Sequence, residues 1–332
     1  MKIKTEELNK IFEKIKHGLA QKDIVEQSKT ITFDKEFLFT YNGNVGVFSP
    51  FKTDFVCSVP AQEFMKIISD IEDEEIDIDF VGNVLKLSGK NIEAEFTVLS
   101  DDVKDSSFVI NQDIRFYKLP EDFQQGIGLC SFAASKDVSS KFNGVYVNEN
   151  NVFGSDDFRI SYFEMKSEAK KSFLLPLNSV LILEKFVLKR YGLRDGFIFF
   201  KDSDDVLFCS RLLELNYSDP LPYFEFEGEK IIFPEDTKNL VEKASILAEG
   251  DFDIDKKIVV KIEDGKLVCK GENDIGWIKT FVKMNSKKNM QFTINPIFFL
   301  QVLAKTNSAK VGEDRIMFEA TNFKHLVSLY VE

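Results

Sequence analysis

Leu175-Pro176-Leu177-Asn178-Ser179-Val180 is the stretch that organises the chain. An extended apolar run closes on a proline, and the residues behind it, through Leu181 and Leu183, take a helical apolar spacing. Proline suits the first turn of a helix, where its missing N–H is not needed. The same grammar stands at Val59-Pro60-Ala61-Gln62-Glu63-Phe64, leading into Ile67, Ile68 and Ile71, and at Ile294-Asn295-Pro296-Ile297-Phe298, leading into Leu300 and Leu303. Pro60 and Pro176 lie 116 residues apart, and Pro176 and Pro296 lie 120 apart. Pro120-Glu121-Asp122 and Pro234-Glu235-Asp236 start a second set of helices, 114 residues apart. The first of these carries Phe123, Ile127 and Cys130; the second carries Leu240, Val241, Ala244 and Leu247. A unit of helix, strands, strand-proline-helix and strands thus recurs three times at roughly 115 residues, too long for a solenoid repeat. Each unit is expected to be a domain with its own core, itself internally doubled. The expected domains are 1–112, 113–226 and 227–332, with linkers near Val109–Lys118 and Tyr223–Glu229.

Between the helices the chain reads as short strands and tight turns. Ile76-Asp77-Ile78-Asp79-Phe80 and Ile92-Glu93-Ala94-Glu95-Phe96-Thr97-Val98 alternate apolar with polar. Period two marks a sheet with one buried and one solvated face. Tyr41-Asn42-Gly43-Asn44, Val81-Gly82-Asn83, Asn148-Glu149-Asn150-Asn151 and Glu263-Asp264-Gly265 supply the turns. Thr5 to Ala20 reads as an amphipathic helix with Leu8, Ile11, Phe12, Ile15 and Leu19 on one stripe.

The 332 residues include 55 acidic and 43 basic ones, a formal net charge of −12 that argues against a protein that wraps nucleic acid through a dense set of phosphate contacts. At 44% hydrophobic the chain can bury a core, which excludes wholesale disorder. Cys57, Cys130, Cys209 and Cys269 are widely spaced among apolar neighbours, so buried reduced thiols are expected rather than a metal or redox pair. The charged N-terminus carries no signal-peptide pattern, and Val180 to Leu188, broken by Glu184 and Lys185, is too short to span a membrane. A cytoplasmic protein is expected.

Basic side chains favour the helices. Lys10, Lys14 and His17 lie opposite the apolar stripe of the first helix, with Lys22 just beyond. Lys66, Lys136, Lys185, Lys189, Arg190, Lys238, Lys243 and Lys305 are placed on or beside the others. Acid gathers in strands and turns, as in Asp70 to Asp79, Asp202 to Asp205 and Asp251 to Asp255. A solvated face explains any one such helix; recurrence over three units gives the bias its meaning.

Phe142-Asn143-Gly144-Val145-Tyr146-Val147 followed by Ser155-Asp156-Asp157-Phe158-Arg159-Ile160 resembles the middle-domain hairpin of the bacterial β-type DNA polymerase sliding clamp. There an F/L-N-G-V/I strand precedes a T-D-G-H-R-L segment. The Val59-Pro60 and Leu175-Pro176 helix starts and Ala244-Ser245-Ile246-Leu247 are similar to further family motifs, in the same order. The resemblance covers essentially the whole chain. It implies an α+β fold of three repeated DNA-clamp domains, half of a six-domain ring closed by a head-to-tail homodimer. Duplex DNA, a DNA polymerase and an ATP-dependent clamp loader are the implied partners, with no cofactor, metal or membrane.

Lys22 and Lys136 match DNA-contacting positions of the family; Lys10, Lys14, Lys66, Lys189, Arg190 and Lys238 are added from helix facing. The implied partner-peptide cleft has Phe142, Ser155, Asp157, Phe158, Arg159 and Ile160 on one wall and the last strand, through Leu329 and Tyr330, on the other. Phe96 and Val98 of one copy would meet Ile246 and Leu247 of the next. Asp157 and Phe158 stand where the family has glycine and histidine, and the C-terminus lacks the usual Met-Pro-Met-Arg-Leu ending. These departures point to a divergent member, such as a phage-encoded clamp.

Catalytic chemistry has no foothold in the sequence. His17 and His325 stand apart from any nucleophile motif. Asp251-Phe252-Asp253-Ile254-Asp255 begins like a calcium loop, but Lys256 and Ile262 occupy the positions that need glycine and glutamate. No nucleotide-binding motif occurs. Trp277, in the run Ile275 to Val282, is expected to be packed. The rival reading is a β-rich structural or protein-interaction protein with no DNA role.

Overall fold

The computed structural model describes residues 1–20, 26–99, 113–214, 217–286 and 288–331. The helices among them are α1 (Thr5–Ile15), α2 (Ala61–Ser69), α3 (Phe123–Ser131), α4 (Leu177–Leu183), α5 (Thr237–Ser245) and α6 (Pro296–Leu303). The chain divides into two compact units, Met1–Leu119 with Asn178–Glu214, and Pro120–Leu177 with Leu215–Glu332.

In the first unit a four-stranded sheet runs Lys2–Lys4, Glu75–Val81, Val84–Ser88, Glu93–Thr97. An eight-stranded sheet runs Cys57–Pro60, Thr30–Asp34, Phe37–Tyr41, Val45–Pro50, Leu207–Arg211, Phe197–Asp202, Leu188–Arg194, Tyr117–Lys118. The second unit repeats the plan. Its eight strands run Phe173–Pro176, Gly144–Asn148, Asn151–Ser155, Arg159–Glu164, Phe323–Ser328, Arg315–Ala320, Ser308–Val311, Glu229–Ile232. Its four-stranded sheet runs Gly276–Lys283, Lys266–Asn273, Ile258–Glu263, Met290–Ile294.

Both eight-stranded sheets are two four-stranded rows joined edge to edge. The third strand of a meander meets the last strand of a later row, so that Phe48 lies opposite Leu207 and Ser161 opposite His325. The strands equivalent to these edges in the four-stranded sheets are Gly276–Lys283 and Glu93–Thr97. Neither has a strand neighbour on its outer side among the described residues.

The period-two patterns fold as the alternation dictates: Ile76 and Ile78 are buried, and Asp79 is exposed. Aromatic rings fill the interior, with Phe33, Phe64, Phe123, Phe233 and Phe299 wholly buried. The eight-stranded sheets also carry apolar residues on the face away from the helices. In the first unit Phe39, Phe48, Phe199 and Leu207 pack with Ile114 and Phe116; in the second, Phe153, Tyr162 and Met317 pack with Tyr217, Phe224 and Phe226. The segments around the two expected linkers therefore fold back as covers. Val109 to Gln112 lie outside the described residues.

Three of the helices, α1, α3 and α5, end against the second strand of the meander that follows them. The Thr40 hydroxyl donates to the Ile15 carbonyl at the end of α1. At the ends of α3 and α5 the strand residue is Gly154 or Gly271, where a Cβ would stand 2.0 Å from the carbonyl oxygen of Cys130 or Ala244. The approach is possible because glycine has no side chain.

Several expectations are corrected. The helix from Thr5 ends at Ile15, and a single 3-10 turn, Lys16–Gly18, follows. Pro120 and Pro234 begin turns, and the helices behind them start at Phe123 and Thr237. α4 stops at Leu183, so Lys189 and Arg190 sit on the strand Leu188–Arg194; Phe186 leaves the helix to pack against Phe208, ring centroids 6.0 Å apart. Trp277 is 63% exposed on the outward side of its strand. The four cysteines are buried and free, and burial pushes the Cys57, Cys209 and Cys269 thiols up to about 12. No helix among the described residues is long and apolar enough to cross a membrane.

Candidate functional site

A cavity of about 350 Å³ opens in the second unit, within the range of small-ligand and peptide-anchor pockets. Six of the eight residues expected in the cleft line it: Phe142, Ser155, Asp157, Phe158, Arg159 and Ile160. Their positions follow from the hairpin. The Asp156 carboxylate accepts from the backbone N–H groups of Phe158 and Arg159, both at 2.9 Å, which closes the turn before the strand Arg159–Glu164. Asp157 is therefore held without a left-handed backbone, and the turn needs no glycine there.

Arg159 is the buried charge of this site. Its Nε donates to Asp156 Oδ2 at 2.9 Å, its Nη1 donates to Gln301, and its guanidinium lies 4.3 Å from the Phe298 ring centroid. A charge so paired and stacked is fixed in place and shapes the wall. Phe158 is partly exposed, its ring 6.2 Å from that of Phe298.

The opposite wall differs from expectation. Leu326 and Ser328 line the cavity, whereas Leu329 and Tyr330 do not. Strand parity is the reason. Leu326 faces the outer aromatic cluster, Val327 the core, and Leu329 turns into that core after the strand ends. Tyr330 reaches away, its hydroxyl donating to the Ile254 carbonyl at 3.2 Å.

Tyr217, Tyr223 and Arg315 complete the lining and had not been singled out. Tyr217 stacks on Tyr146 at 5.0 Å and meets Phe142 edge-on at 5.8 Å. Burial raises its phenol above the usual range, and the neighbouring Ser155 hydroxyl offsets part of that rise. Arg315 is held by Asp314 through two 2.7 Å contacts, which raises the one pKa and lowers the other. The aromatic, proline-flanked run Tyr217-Ser218-Asp219-Pro220-Leu221-Pro222-Tyr223 was the available signal. The cleft is an apolar trough with fixed charges at its lip, suited to an apolar or aromatic side chain.

The basic candidates sort into three groups. Lys66 and Lys136 are exposed, as are Lys189 and Arg190 on their strand. Lys10 pairs with Glu6 at 2.6 Å and Lys238 with Glu242 at 3.9 Å, both exposed pairs of little strength. Lys14 is tied to Asp202 at 2.8 Å and Asp204 at 2.7 Å; burial lowers its pKa, but the two carboxylates raise it further. Lys22 lies outside the described residues. His17 packs edge-on to Phe186, and burial, with Lys185 and Lys16, lowers its pKa, so it adds little positive charge at neutral pH.

Of the interface candidates, Phe96 is buried against Phe64, Val98 and Leu247 are half-buried, and Ile246 is 72% exposed at the end of α5. The Asp251–Asp255 loop is closed by Asn295, whose Nδ2 donates to the carbonyls of Asp253 and Ile254.

Doubled helix-and-strand rows joined into eight-stranded sheets, with an apolar cleft where two rows meet, constitute the sliding-clamp fold. The chain is similar over its length to a putative DNA polymerase III β subunit from Eubacterium rectale, at 17% identity with a TM-score of 0.85, covering 99% of this chain and 98% of that one. The β subunit from Streptococcus pyogenes is similar at 16% identity and 0.85, covering 99% of each chain. The Pseudomonas aeruginosa sliding clamp bound to griselimycin is similar at 15% identity and 0.84, covering 100% and 99%. No protein-family model matches the sequence, and no curated protein matches it. At these identities the likeness shows the fold.

Proposed function

We propose that this protein is a DNA sliding clamp. It would encircle duplex DNA as a head-to-tail homodimer and tether a replicative polymerase for processive synthesis, without covalent chemistry of its own. The full-length match to β-clamp folds carries this reading. The internal topology supports the dimer. Two junctions join a third meander strand to a last-row strand within the chain, and one strand of each kind is left over. A second copy supplies the missing partner for both. Three clamp domains, 1–112, 113–226 and 227–332, are then read as six rows, with compactness following the joined sheets rather than the sequence repeat.

In this reading Lys66 and Lys136 face the phosphates, with Lys10 and Lys238 as paired, weaker contributors; Lys22 keeps the role that the resemblance implies, and Lys189 and Arg190, on a strand, lose the helix-facing ground for theirs. Phosphate contacts carry no sequence information, so the ring is free to slide. A separate ATP-driven loader opens it. The cleft takes an apolar peptide of the polymerase, whose tethering raises its effective concentration at the template. Ile246 and Leu247 meet the Phe96 and Val98 edge of the partner.

The test is retention after loading on circular and on linear duplex DNA. The expected result is a long-lived complex on circles and rapid loss from free ends; equal loss from both would defeat the topological mechanism. Reversing Lys66 and Lys136 to glutamate is expected to lower loading and processivity while leaving the solution mass unchanged. No change in processivity would favour a structural protein without a DNA role.

A further inference from the structure

The two unpaired edges carry opposite charge, whereas the junctions closed within the chain do not use charge. In the strand Glu93–Thr97, Phe96 packs inward on Phe64 at 5.1 Å, so Glu93, Glu95 and Thr97 face outward, all exposed. In Gly276–Lys283, the Thr280 hydroxyl donates inward to the Leu240 carbonyl at 3.1 Å and Val282 packs on the core. Trp277, Lys279, Phe281 and Lys283 therefore face outward, again all exposed. On the strand behind the basic edge Lys266 lies opposite Lys283 and adds to its charge, whereas Lys270, opposite Lys279, is paired with Glu272 and adds little. On the acidic side Lys86 satisfies Glu95 at 2.5 Å, which leaves Glu93 the less compensated carboxylate.

The internal junctions differ. Val45 to Phe48 meet Leu207 to Ser210 with no charged residue on either side. Across the other, Arg159 lies opposite Val327 and Lys324 opposite Tyr162, with no carboxylate in register with an ammonium. Chain connectivity already fixes those partners. A free edge has no such constraint, because its unpaired N–H and C=O groups accept any strand, including its own copy. Only side chains can then select. Residues facing outward on one edge come beside outward ones on the other, where opposite charges attract and like charges repel.

We propose that Glu93 and Glu95 on one edge, and Lys279 and Lys283 on the other, specify the partner edge: a second copy of this chain joined acidic edge to basic edge, with acidic-to-acidic and basic-to-basic pairing excluded. The proposal rests on the dimer reading above, since it takes the free edges of two copies to meet. Screening weakens the selection, so association falls as salt rises.

The test uses two full-length variants, Glu93→Lys with Glu95→Lys, and Lys279→Glu with Lys283→Glu. Each places like charges at both junctions of its own homodimer. By sedimentation at low salt, each is expected to dissociate at a concentration at least about tenfold higher than the wild type. An equimolar mixture is expected to recover the dimer mass, because a pair made of one of each has opposite charges at both junctions. Unchanged thermal transitions of the separate variants exclude misfolding as the cause. A wild-type dimer whose variants dimerise equally well overturns the charge selection alone, as does a mixture of folded variants that stays dissociated. A wild type that remains monomeric at low salt overturns the dimer reading and this proposal with it.

Discussion

His325 is wholly buried, its Nδ1 2.7 Å from Ser161 Oγ and its ring 4.8 Å from that of Phe132. Burial, and then the Arg159 charge, hold its pKa well below the ordinary value. The folded state therefore keeps the imidazole neutral where the unfolded chain binds a proton. Stability is full above the unfolded pKa of about 6.5 and declines as pH falls below it. Replacing His325 by Phe together with Ser161 by Ala is expected to flatten that decline, measured as the thermal midpoint between neutral and mildly acid pH. Gly271 makes a second prediction at this scale. A Cβ there would stand 2.0 Å from the Ala244 carbonyl oxygen, so Gly271→Ala is expected to destabilise by about 1–3 kcal/mol, read by urea unfolding. Neither role is legible from sequence. A lone histidine in a strand and a glycine in an alternating run do not name the groups that the fold sets against them.

At the scale of elements, the proline-led starts and the period-two runs were readable because helix and strand periodicities are local. What failed was local geometry that distant packing decides. α4 stops early because Phe186 has a place against Phe208. The cleft wall falls on Leu326 and Ser328 because parity along Phe323–Ser328 is set by its pairing with Arg159–Glu164. Leu326→Asp, which places a carboxylate in the apolar trough, is expected to abolish polymerase stimulation at unchanged solution mass. Binding of a polymerase-derived peptide by titration is the check, and Tyr330→Ala is expected to leave that binding within about twofold. Asp157 shows the converse: a side chain where the family has glycine is accommodated, because the Asp156 side chain closes the turn.

For the whole molecule, the net charge of −12 conceals a distribution. A closed dimer would double that charge, with the lysines that face phosphate set apart from an acidic remainder. Direct affinity for DNA is then expected to be low and to fall steeply with salt, while retention on loaded circles persists. The sequence by itself determined the repeat, the helix starts, the alternating strands and the hairpin that resembles a clamp, because each is written in neighbouring residues. Tertiary structure alone decided which rows join, which linker segments cover which sheet, and which edges remain open. Backbone hydrogen bonding between strands is indifferent to sequence, and only the packed fold and its chain connections reveal which edges find partners.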